Sequence, residues 1–416
     1  MADTIHVIGA GLAGLAAALK LDHTRYRIVL HEAARHAGGR CRSYHDATLG
    51  QVIDNGNHLV LSGNRAVRDY VSTIGTADKL VGPPDAAFDF ADLATGARWK
   101  VIPNAGRLPW WIFSRKRRVP GTRWFHYLSL RKLLRANLQQ RIGDLMVCQG
   151  ALYERLCHPL LVAALNTDPE TSSAALAAVV IRETLAKGGL ACRPLIAAGG
   201  LAEAFVEPAL ATLAARGVET RFDHRLRGLK LDGTRVAALD FADEAAEVAL
   251  EPGDGVILAV PAPVAATLVP GLTVPTEFRS IVNAHFLAAA PPGHPLMVGL
   301  INSASEWVFS FPGRLSVTIS DADRFLDTPK QELAAKLWRE VAAVTGHDPD
   351  AVPPYRIIRE KRATFAASPE QDALRPGPET AWRNLVLAGD WTQTGLPATI
   401  EGALRSGNRA AAMASR

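Results

Sequence analysis

The stretch IHVIGAGLAG, residues 5–14, decides the fold around which the rest of the chain is organised. Its apolar start, Ile5–Ile8, predicts a buried strand, and the alanine-rich residues after Gly14 predict a helix that ends near His23. A second apolar run at residues 26–31 predicts another strand directly afterwards. Strand, glycine turn, helix and strand within about thirty residues form the βαβ unit of a dinucleotide-binding fold. We therefore expect an α/β protein with a Rossmann-type domain.

Three glycines of this stretch suit the binding of a pyrophosphate. Gly9 permits the tight turn, Gly11 lets the backbone approach the phosphates, and Gly14 lets helix and strand pack closely. The N-terminus of the helix supplies free N–H groups for the anion. Glu32, 18 residues after Gly14, is placed to accept hydrogen bonds from ribose hydroxyls. The alternative is that the glycines only form a tight turn.

Two further motifs favour FAD over a nicotinamide cofactor. Gly39 and Arg40 follow the acidic residue in HEAARHAGGR, where a glycine loop with a cation can fold over the pyrophosphate. Near the C-terminus a predicted buried strand, Asn384–Ala388, runs into Gly389 and Asp390. The stretch TGLPATIEGA then predicts the final helix, with its proline in the first turn. We expect Asp390 to hold the ribityl or phosphate region and the helix N-terminus to stabilise negative charge on the flavin ring. Ordinary turns are the alternative interpretation of both motifs.

The composition limits the class of protein. The chain has 416 residues, of which 48% are hydrophobic and 21% charged, which is enough for two lobes with their own cores. A net charge of +5 favours anionic partners. The cysteines Cys41, Cys148, Cys157 and Cys192 lie far apart in sequence, so we predict reduced thiols and no metal site. The N-terminus lacks a basic leader, and no run reaches the ~18 apolar residues of a membrane span. We expect a cytoplasmic protein.

Changes of pattern along the chain predict two lobes, the first of them discontinuous. We assign an FAD-binding domain to residues 1–75, 200–265 and 355–416, and a mixed α+β substrate domain to residues 76–199 and 266–354. A helical insertion is predicted from about residue 107 to 215, with helices over Leu128–Leu138 and Ser172–Leu185.

Residues 107–135 combine nine Lys or Arg residues with six aromatic residues: Trp110, Trp111, Phe113, Trp124, Phe125 and Tyr127. Arginine beside tryptophan is typical of a membrane interface, where rings lie at headgroup depth and cations meet acidic lipids. We predict that this segment makes peripheral contact with the inner face of the cytoplasmic membrane and does not bind nucleic acid. The alternative is a solvated basic face over a buried aromatic cluster.

Four stretches together carry a family resemblance: GAGLAGLAAA, HEAARHAGGR, DNGNHLVLSGN and LAGDWTQTGLPATIEGALRSG. They resemble the FAD-dependent amine oxidase and phytoene desaturase superfamily, and within it the hydroxysqualene dehydroxylases, also called squalene-associated FAD-dependent desaturases. The most discriminating pieces are Asp54–His58 and the stretch that begins at Trp391. Asn57 stands where this family is expected to have Gln.

The resemblance implies FAD as the cofactor and a set of residues that contact it: Gly9, Gly11, Gly14, Glu32, Gly39, Arg40, Leu226, Gly389, Asp390 and Ile400. It also implies reductive removal of the hydroxyl group of hydroxysqualene, a long-chain isoprenoid, to give squalene for hopanoid biosynthesis. Ionisation of the C–O bond requires a proton on the leaving oxygen, an apolar pocket and exclusion of water. His58 and Asp54, in a loop expected near the flavin, are the candidate catalytic residues. The alternative is that Asp54 caps a turn and His58 bonds to backbone.

Two other functions stay open at this point. An oxidative FAD-dependent desaturase of a polyisoprenoid, or an amine oxidase, uses the same motifs in the opposite redox direction. An amine requires an aromatic cage with carboxylates, whereas a polyene requires an apolar pocket. A non-catalytic FAD-binding scaffold or lipid-transfer protein retains FAD without turnover.

Overall fold

A computed structural model describes residues 3–242 and 247–415. The strands are β1 Thr4–Ile8, β2 Arg27–His31, β3 Ser43–Asp46, β4 Gln51–Asp54, β5 Leu59–Leu61, β6 Leu80–Val81, β7 Phe88–Asp92, β8 Arg98–Val101, β9 Pro194–Ala197, β10 Glu219–Arg221, β11 Leu226–Asp232, β12 Arg235–Phe241, β13 Val248–Ala249, β14 Gly255–Leu258, β15 Phe278–Phe286, β16 Met297–Ile301, β17 Trp307–Phe311, β18 Arg314–Ile319, β19 Tyr355–Phe365 and β20 Leu385–Leu387. The helices are α1 Leu12–Lys20, α2 Arg65–Thr73, α3 Leu130–Leu133, α4 Ile142–Leu145, α5 His158–Leu165, α6 Ala174–Glu183, α7 Gly189–Cys192, α8 Glu207–Ala215, α9 Ala262–Leu268, α10 Lys330–Thr345, α11 Pro369–Ala373 and α12 Ile400–Ala414. Short turns of 3-10 and π helix connect several of them.

The first large sheet is parallel and carries the N-terminal motif. Its strand order is β10-β2-β1-β14-β20, and every neighbouring pair runs parallel. Ile257 and Leu258 are consecutive in β14 and project to opposite faces, and both are fully buried, as expected for a sheet covered on both faces. Helices α1 and α12 pack against each other so closely that a Cβ at Gly407 would collide with the carbonyl group of Ala13. The predicted Rossmann-type α/β domain is confirmed.

The second large sheet has the order β19-β15-β18-β17-β16-β7-β8, and only β16 and β7 pair in parallel. Successive side chains in a strand point to opposite faces. Val282 and Val317 lie on the face that packs with Leu337 of α10. Asn283 and Thr318 therefore lie on the other face, which meets the loop after β4. One face of this sheet therefore belongs to a hydrophobic core, and the other face makes polar contacts with the loop after β4.

The helical insertion differs in part from the prediction. The helix expected over Ser172–Leu185 is confirmed as α6, and the side chain of Ser173 caps it. The helix expected over Leu128–Leu138 is wrong in length, because only a 3-10 turn and the four residues of α3 form. Leu138 is 70% exposed, so the apolar spacing does not continue a buried face. In the part of the chain that the structure describes, no helix combines the length and apolarity needed to cross a membrane.

The assignment of residue ranges to two lobes stays a prediction. Strand β19, residues 355–365, lies in the range assigned to the FAD-binding domain from sequence. It pairs along its length with β15 and forms an edge of the second sheet. This pairing favours a boundary after residue 365, because strand alternation alone does not reveal which sheet a strand joins.

Candidate functional site

The glycine turn between β1 and α1 contains an open space. Gly9 has a φ of +107°, and Gly14 lies so close that a Cβ there would collide with the carbonyl oxygen of Gly9. A Cβ at Gly11, in contrast, would have no atom within 4 Å. Gly9 and Gly14 are therefore required by the packing of the turn, whereas Gly11 borders free space at the N-terminus of α1. This is the place predicted for the pyrophosphate, and the residues present fit it.

A second loop crosses this turn and carries a cation. A Cβ at Gly39 would lie 3.5 Å from the Cα of Gly11, so the two loops are in contact. Arg40 donates to Asp390 Oδ1 at 2.6 Å and to the carbonyl oxygen of Ala363 at 2.5 Å. The attraction of Asp390 raises the pKa of Arg40, so the guanidinium stays charged. The N-terminal and C-terminal motifs therefore meet through this ion pair.

The side chain of Glu32 is held firmly at the end of β2. Its Oε2 accepts from the backbone N–H of Ala10 at 2.7 Å, and its Oε1 accepts from that of Ala34 at 2.9 Å. Each carboxylate oxygen keeps a further acceptor site for a ribose hydroxyl. Leu226 is buried at the start of β11, opposite Phe241. Contacts of Glu32 and Leu226 with the nucleotide stay predictions.

The turn after β20 is built around Gly389. Its φ is +148°, and a Cβ there would collide with the indole of Trp391. The predicted start of the final helix is wrong, since α12 begins at Ile400 and Pro397 lies before its first turn. Thr399 caps the helix by accepting from the N–H of Gly402 at 3.1 Å.

A buried arginine that the sequence analysis missed fixes the same turn. The side chain of Arg375 is fully buried and forms an ion pair with Asp372 at 2.8 Å. It also donates to the carbonyl oxygen of Asp390 at 3.1 Å and to Thr394 Oγ1 at 2.8 Å. Burial lowers the pKa of this guanidinium, whereas Asp372 and Asp390 raise it. Arg375 thus holds residues 390–394 in one conformation.

The DNGNH loop places Asp54 in structural bonds. Its Oδ1 accepts from the hydroxyl of Ser43 at 2.5 Å and from the N–H of Leu201 at 2.9 Å. Burial raises the pKa of Asp54, and these hydrogen bonds oppose that change. These two bonds connect the end of β4 to β3 and to the residues that follow β9. They favour the structural interpretation of Asp54 that the sequence left open.

His58 is the other candidate catalytic residue of this loop. Burial and the charge of Arg40 lower the pKa of His58 to about 4. The residue nevertheless keeps an intermediate share of its surface accessible. At neutral pH His58 is therefore an uncharged imidazole that is partly accessible.

A polar face of the second sheet, which was not predicted from the sequence, supports this loop. His285 Nε2 lies 3.1 Å from the carbonyl oxygen of Asp54, and His285 Nδ1 lies 2.7 Å from Ser316 Oγ. Asn283 and Thr318 lie on the same face and bond to Asn57. The signal is present in the sequence, since polar residues alternate with apolar ones along β15 and β18.

Comparisons with known proteins identify relatives along the whole chain. The family model described as flavin containing amine oxidoreductase matches residues 12–414. A hydroxysqualene dehydroxylase from Rhodopseudomonas palustris is 57% identical, with 99% of this chain and 98% of that protein covered. One from Sinorhizobium fredii is 51% identical, with 100% and 99% covered. The solved structure of cyclohexylamine oxidase from Brevibacterium oxydans has a TM-score of 0.70 at 15% identity, with 100% of this chain and 98% of that chain covered, which shows a shared fold alone.

Proposed function

The chain belongs to the flavin-containing amine oxidoreductase family, and within it to the group of the hydroxysqualene dehydroxylases, and we propose that it reductively removes the hydroxyl group of hydroxysqualene to give squalene. It is an FAD-dependent oxidoreductase. The observation that supports the substrate assignment is the 57% identity with a hydroxysqualene dehydroxylase across almost the full length of both chains.

Five residues are proposed to hold FAD. The free space at Gly11 lies at the N-terminus of α1, where backbone N–H groups and the helix dipole favour a pyrophosphate. Arg40 adds a positive charge beside it, and Glu32 accepts from ribose hydroxyls. Asp390 and the N-terminus of α12 at Ile400 meet the other end of the cofactor. When bound and reduced, FAD supplies a hydride to an electron-poor carbon.

The protein's own part is to orient the leaving oxygen and to exclude water. A neutral His58 donates one hydrogen bond through its N–H group, so at neutral pH it orients the hydroxyl and carries no second proton to release. Asp54 holds the loop that positions His58. Phe90 and Trp307 share with Thr318 the face of the second sheet that meets this loop, and we assign to this face the apolar surroundings that keep water from the carbocation formed when the hydroxyl leaves.

The identity of the product tests this proposal. We would incubate the protein anaerobically with hydroxysqualene and a chemical reductant and identify the extracted lipid by mass spectrometry, with free reduced FAD as the control. Squalene is expected only when the protein is present. If the alcohol is recovered unchanged, the proposal is wrong. If the protein in air also oxidises an amine or a polyene, it is an oxidative desaturase or an amine oxidase instead.

Peripheral membrane contact through residues 107–135 is part of the proposal. Leu108, Trp110 and Phe113 are 81%, 53% and 62% exposed, whereas Trp111 is buried. The guanidinium of Arg117 lies 4.6 Å from the centre of the Trp110 ring. These exposed rings favour an interfacial role over a solvated face above a buried cluster.

The charge of this segment favours anionic lipid. Its nine Lys and Arg residues exceed the formal net charge of +5 for the whole chain, so the remainder of the chain is net acidic. Co-sedimentation with vesicles of phosphatidylglycerol and of phosphatidylcholine measures the preference. Phe113→Ser is expected to weaken binding to the anionic vesicles, whereas Val352→Ser, an exposed apolar residue elsewhere, leaves it unchanged. Equal binding of both variants would contradict the contact.

A further inference from the structure

Exposed apolar side chains are concentrated in one part of the chain. Of the fourteen large apolar residues that are exposed in the described ranges, nine lie between residues 108 and 190. Single exposed apolar residues are normal on a protein surface, whereas a concentration of them marks an interaction surface. Six of the nine belong to residues 107–135, termed the basic segment. The other three are Leu138, Val147 and Leu190, of which Leu190 is the most exposed, at 77%.

Leu190 lies in the short helix α7, which packs directly against the loop that leads into the basic segment. The N–H of Gly189 donates to the carbonyl oxygen of Asn104 at 2.7 Å, and the N–H of Leu190 donates to that of Ala105 at 3.3 Å. Gly188 has a φ of +88°, and a Cβ there would collide with the carbonyl oxygen of Ala105. Glycine at this position therefore permits the close approach of α7 to the loop.

The buried amide of Asn104 fixes Leu108 beside this contact. Its Nδ2 donates to the carbonyl oxygens of Gly106 and Leu108, each at 2.9 Å, and its Oδ1 accepts from the N–H of Trp111 at 3.3 Å. Leu108 is 81% exposed. Leu108 and Leu190 are therefore held on adjoining segments that both bond to Asn104 or its neighbour, and both leucines are open to solvent.

The charge of both segments is positive throughout. Residues 93–143 contain twelve Lys or Arg residues and no Asp or Glu, and residues 184–202 contain two and none. In the part of the chain that the structure describes, none of the nine cations of the basic segment forms an ion pair, whereas Lys100 and Arg141 on either side of it do. Unpaired cations beside exposed apolar side chains suit an acidic bilayer, where phosphate groups meet the cations and the acyl region takes the apolar groups. Nucleic acid would meet the cations but offers the leucines no acyl region.

We propose that α7 is a second membrane anchor, whose Leu190 enters an acidic bilayer beside Leu108 of the basic segment. This inference rests on the membrane contact in the proposed function and extends it to a helix outside residues 107–135. Each apolar side chain that leaves water adds to the binding free energy. The two leucines together should therefore hold the protein on the bilayer more tightly than either one alone.

The test is the partition of the FAD-loaded protein onto phosphatidylglycerol vesicles, measured by co-sedimentation at several lipid concentrations. Leu190→Ser is expected to reduce the partition coefficient about tenfold, because its side chain no longer gains by leaving water. Leu190→Trp is expected to increase it, since tryptophan favours the membrane interface. Leu231→Ser, the same change at an exposed position of β11, should leave it unchanged. Added salt should weaken wild type and Leu190→Ser by the same factor, because salt screens the cations and not the apolar contact.

The possible results separate this inference from the proposed function. If Leu190→Ser partitions like wild type while Phe113→Ser partitions less, the second anchor is wrong and the contact of the basic segment stands. If neither change affects partition, the membrane contact itself is wrong. If Leu190→Ser dissociates an oligomer in light scattering and leaves partition unchanged, the surface binds a second copy of the chain, which also overturns the inference. Formation of squalene by the wild type tests the reaction separately.

Discussion

Replacement of Gly11 by alanine separates cofactor binding from folding. Gly11 precedes α1 with a φ of −71° and a ψ of 175°, a conformation that alanine adopts readily. The new Cβ meets no protein atom within 4 Å. Alanine is a poorer N-cap than glycine, which destabilises the folded protein, but it also restricts the unfolded chain, which stabilises the folded protein. Because these effects oppose each other, the free energy of unfolding of the apoprotein should change by only about 0.5 kcal/mol.

FAD binding should respond much more strongly to the same change. The Cβ occupies the space assigned to the pyrophosphate and keeps at least one backbone N–H group from reaching a phosphate oxygen. A hydrogen bond to a charged group contributes about 1.5–3 kcal/mol. The affinity for FAD is therefore expected to fall about 10- to 100-fold.

Gly14→Ala provides the contrasting control. Its Cβ would collide with the carbonyl oxygen of Gly9, so it should destabilise the apoprotein itself by about 1–3 kcal/mol. Urea unfolding of the apoproteins and titration of FAD fluorescence measure the two effects. If Gly11→Ala binds FAD as tightly as wild type, the open space at the turn is not the pyrophosphate site and the assignment is refuted.

Three further changes have defined outcomes. Arg40→Gln removes the ion pair with Asp390 and should weaken FAD binding about tenfold in a fluorescence titration; unchanged affinity would exclude Arg40 from the site. Arg375→Gln breaks a buried ion pair and should lower the free energy of unfolding by about 3 kcal/mol in urea, and a change below about 0.5 kcal/mol would contradict its positioning role. Burial lowers the pKa of His31 to about 2 in the folded protein. Below about pH 6.5 this imidazole is therefore protonated in the unfolded chain but not in the folded one, so the free energy of unfolding decreases as the pH decreases. In His31→Phe that loss should shrink by up to about 1.4 kcal/mol per pH unit between pH 6.5 and 5, and parallel unfolding curves for the two proteins would show that His31 does not titrate on unfolding.

The glycine turn that we propose binds the nucleotide was predictable because its requirements are local. Gly9, Gly11 and Gly14 lie within six residues, and each has a requirement that residue spacing alone expresses. Glu32 follows from the next strand of the same βαβ unit. The parallel sheet and the two helices that cover it then follow from the general rules for such folds.

The polar face of the second sheet was not predictable in the same way. Asn283 and Thr318 meet Asn57 from positions 226 and 261 residues further along the chain. Alternation in β15 and β18 indicates that one face is polar, but only the register of the sheet brings that face to the loop. Arg375 shows the same limit, because its role depends on being fully buried beside Asp390.

Coupling between the flavin and the lipid product tests the proposed function most directly. The holoprotein would be photoreduced without oxygen and mixed with hydroxysqualene, while flavin absorbance is followed and the extracted lipid is quantified. The proposal predicts that one squalene forms for each flavin reoxidised. A flavin that stays reduced while the alcohol is recovered, or that is reoxidised without formation of squalene, would contradict it.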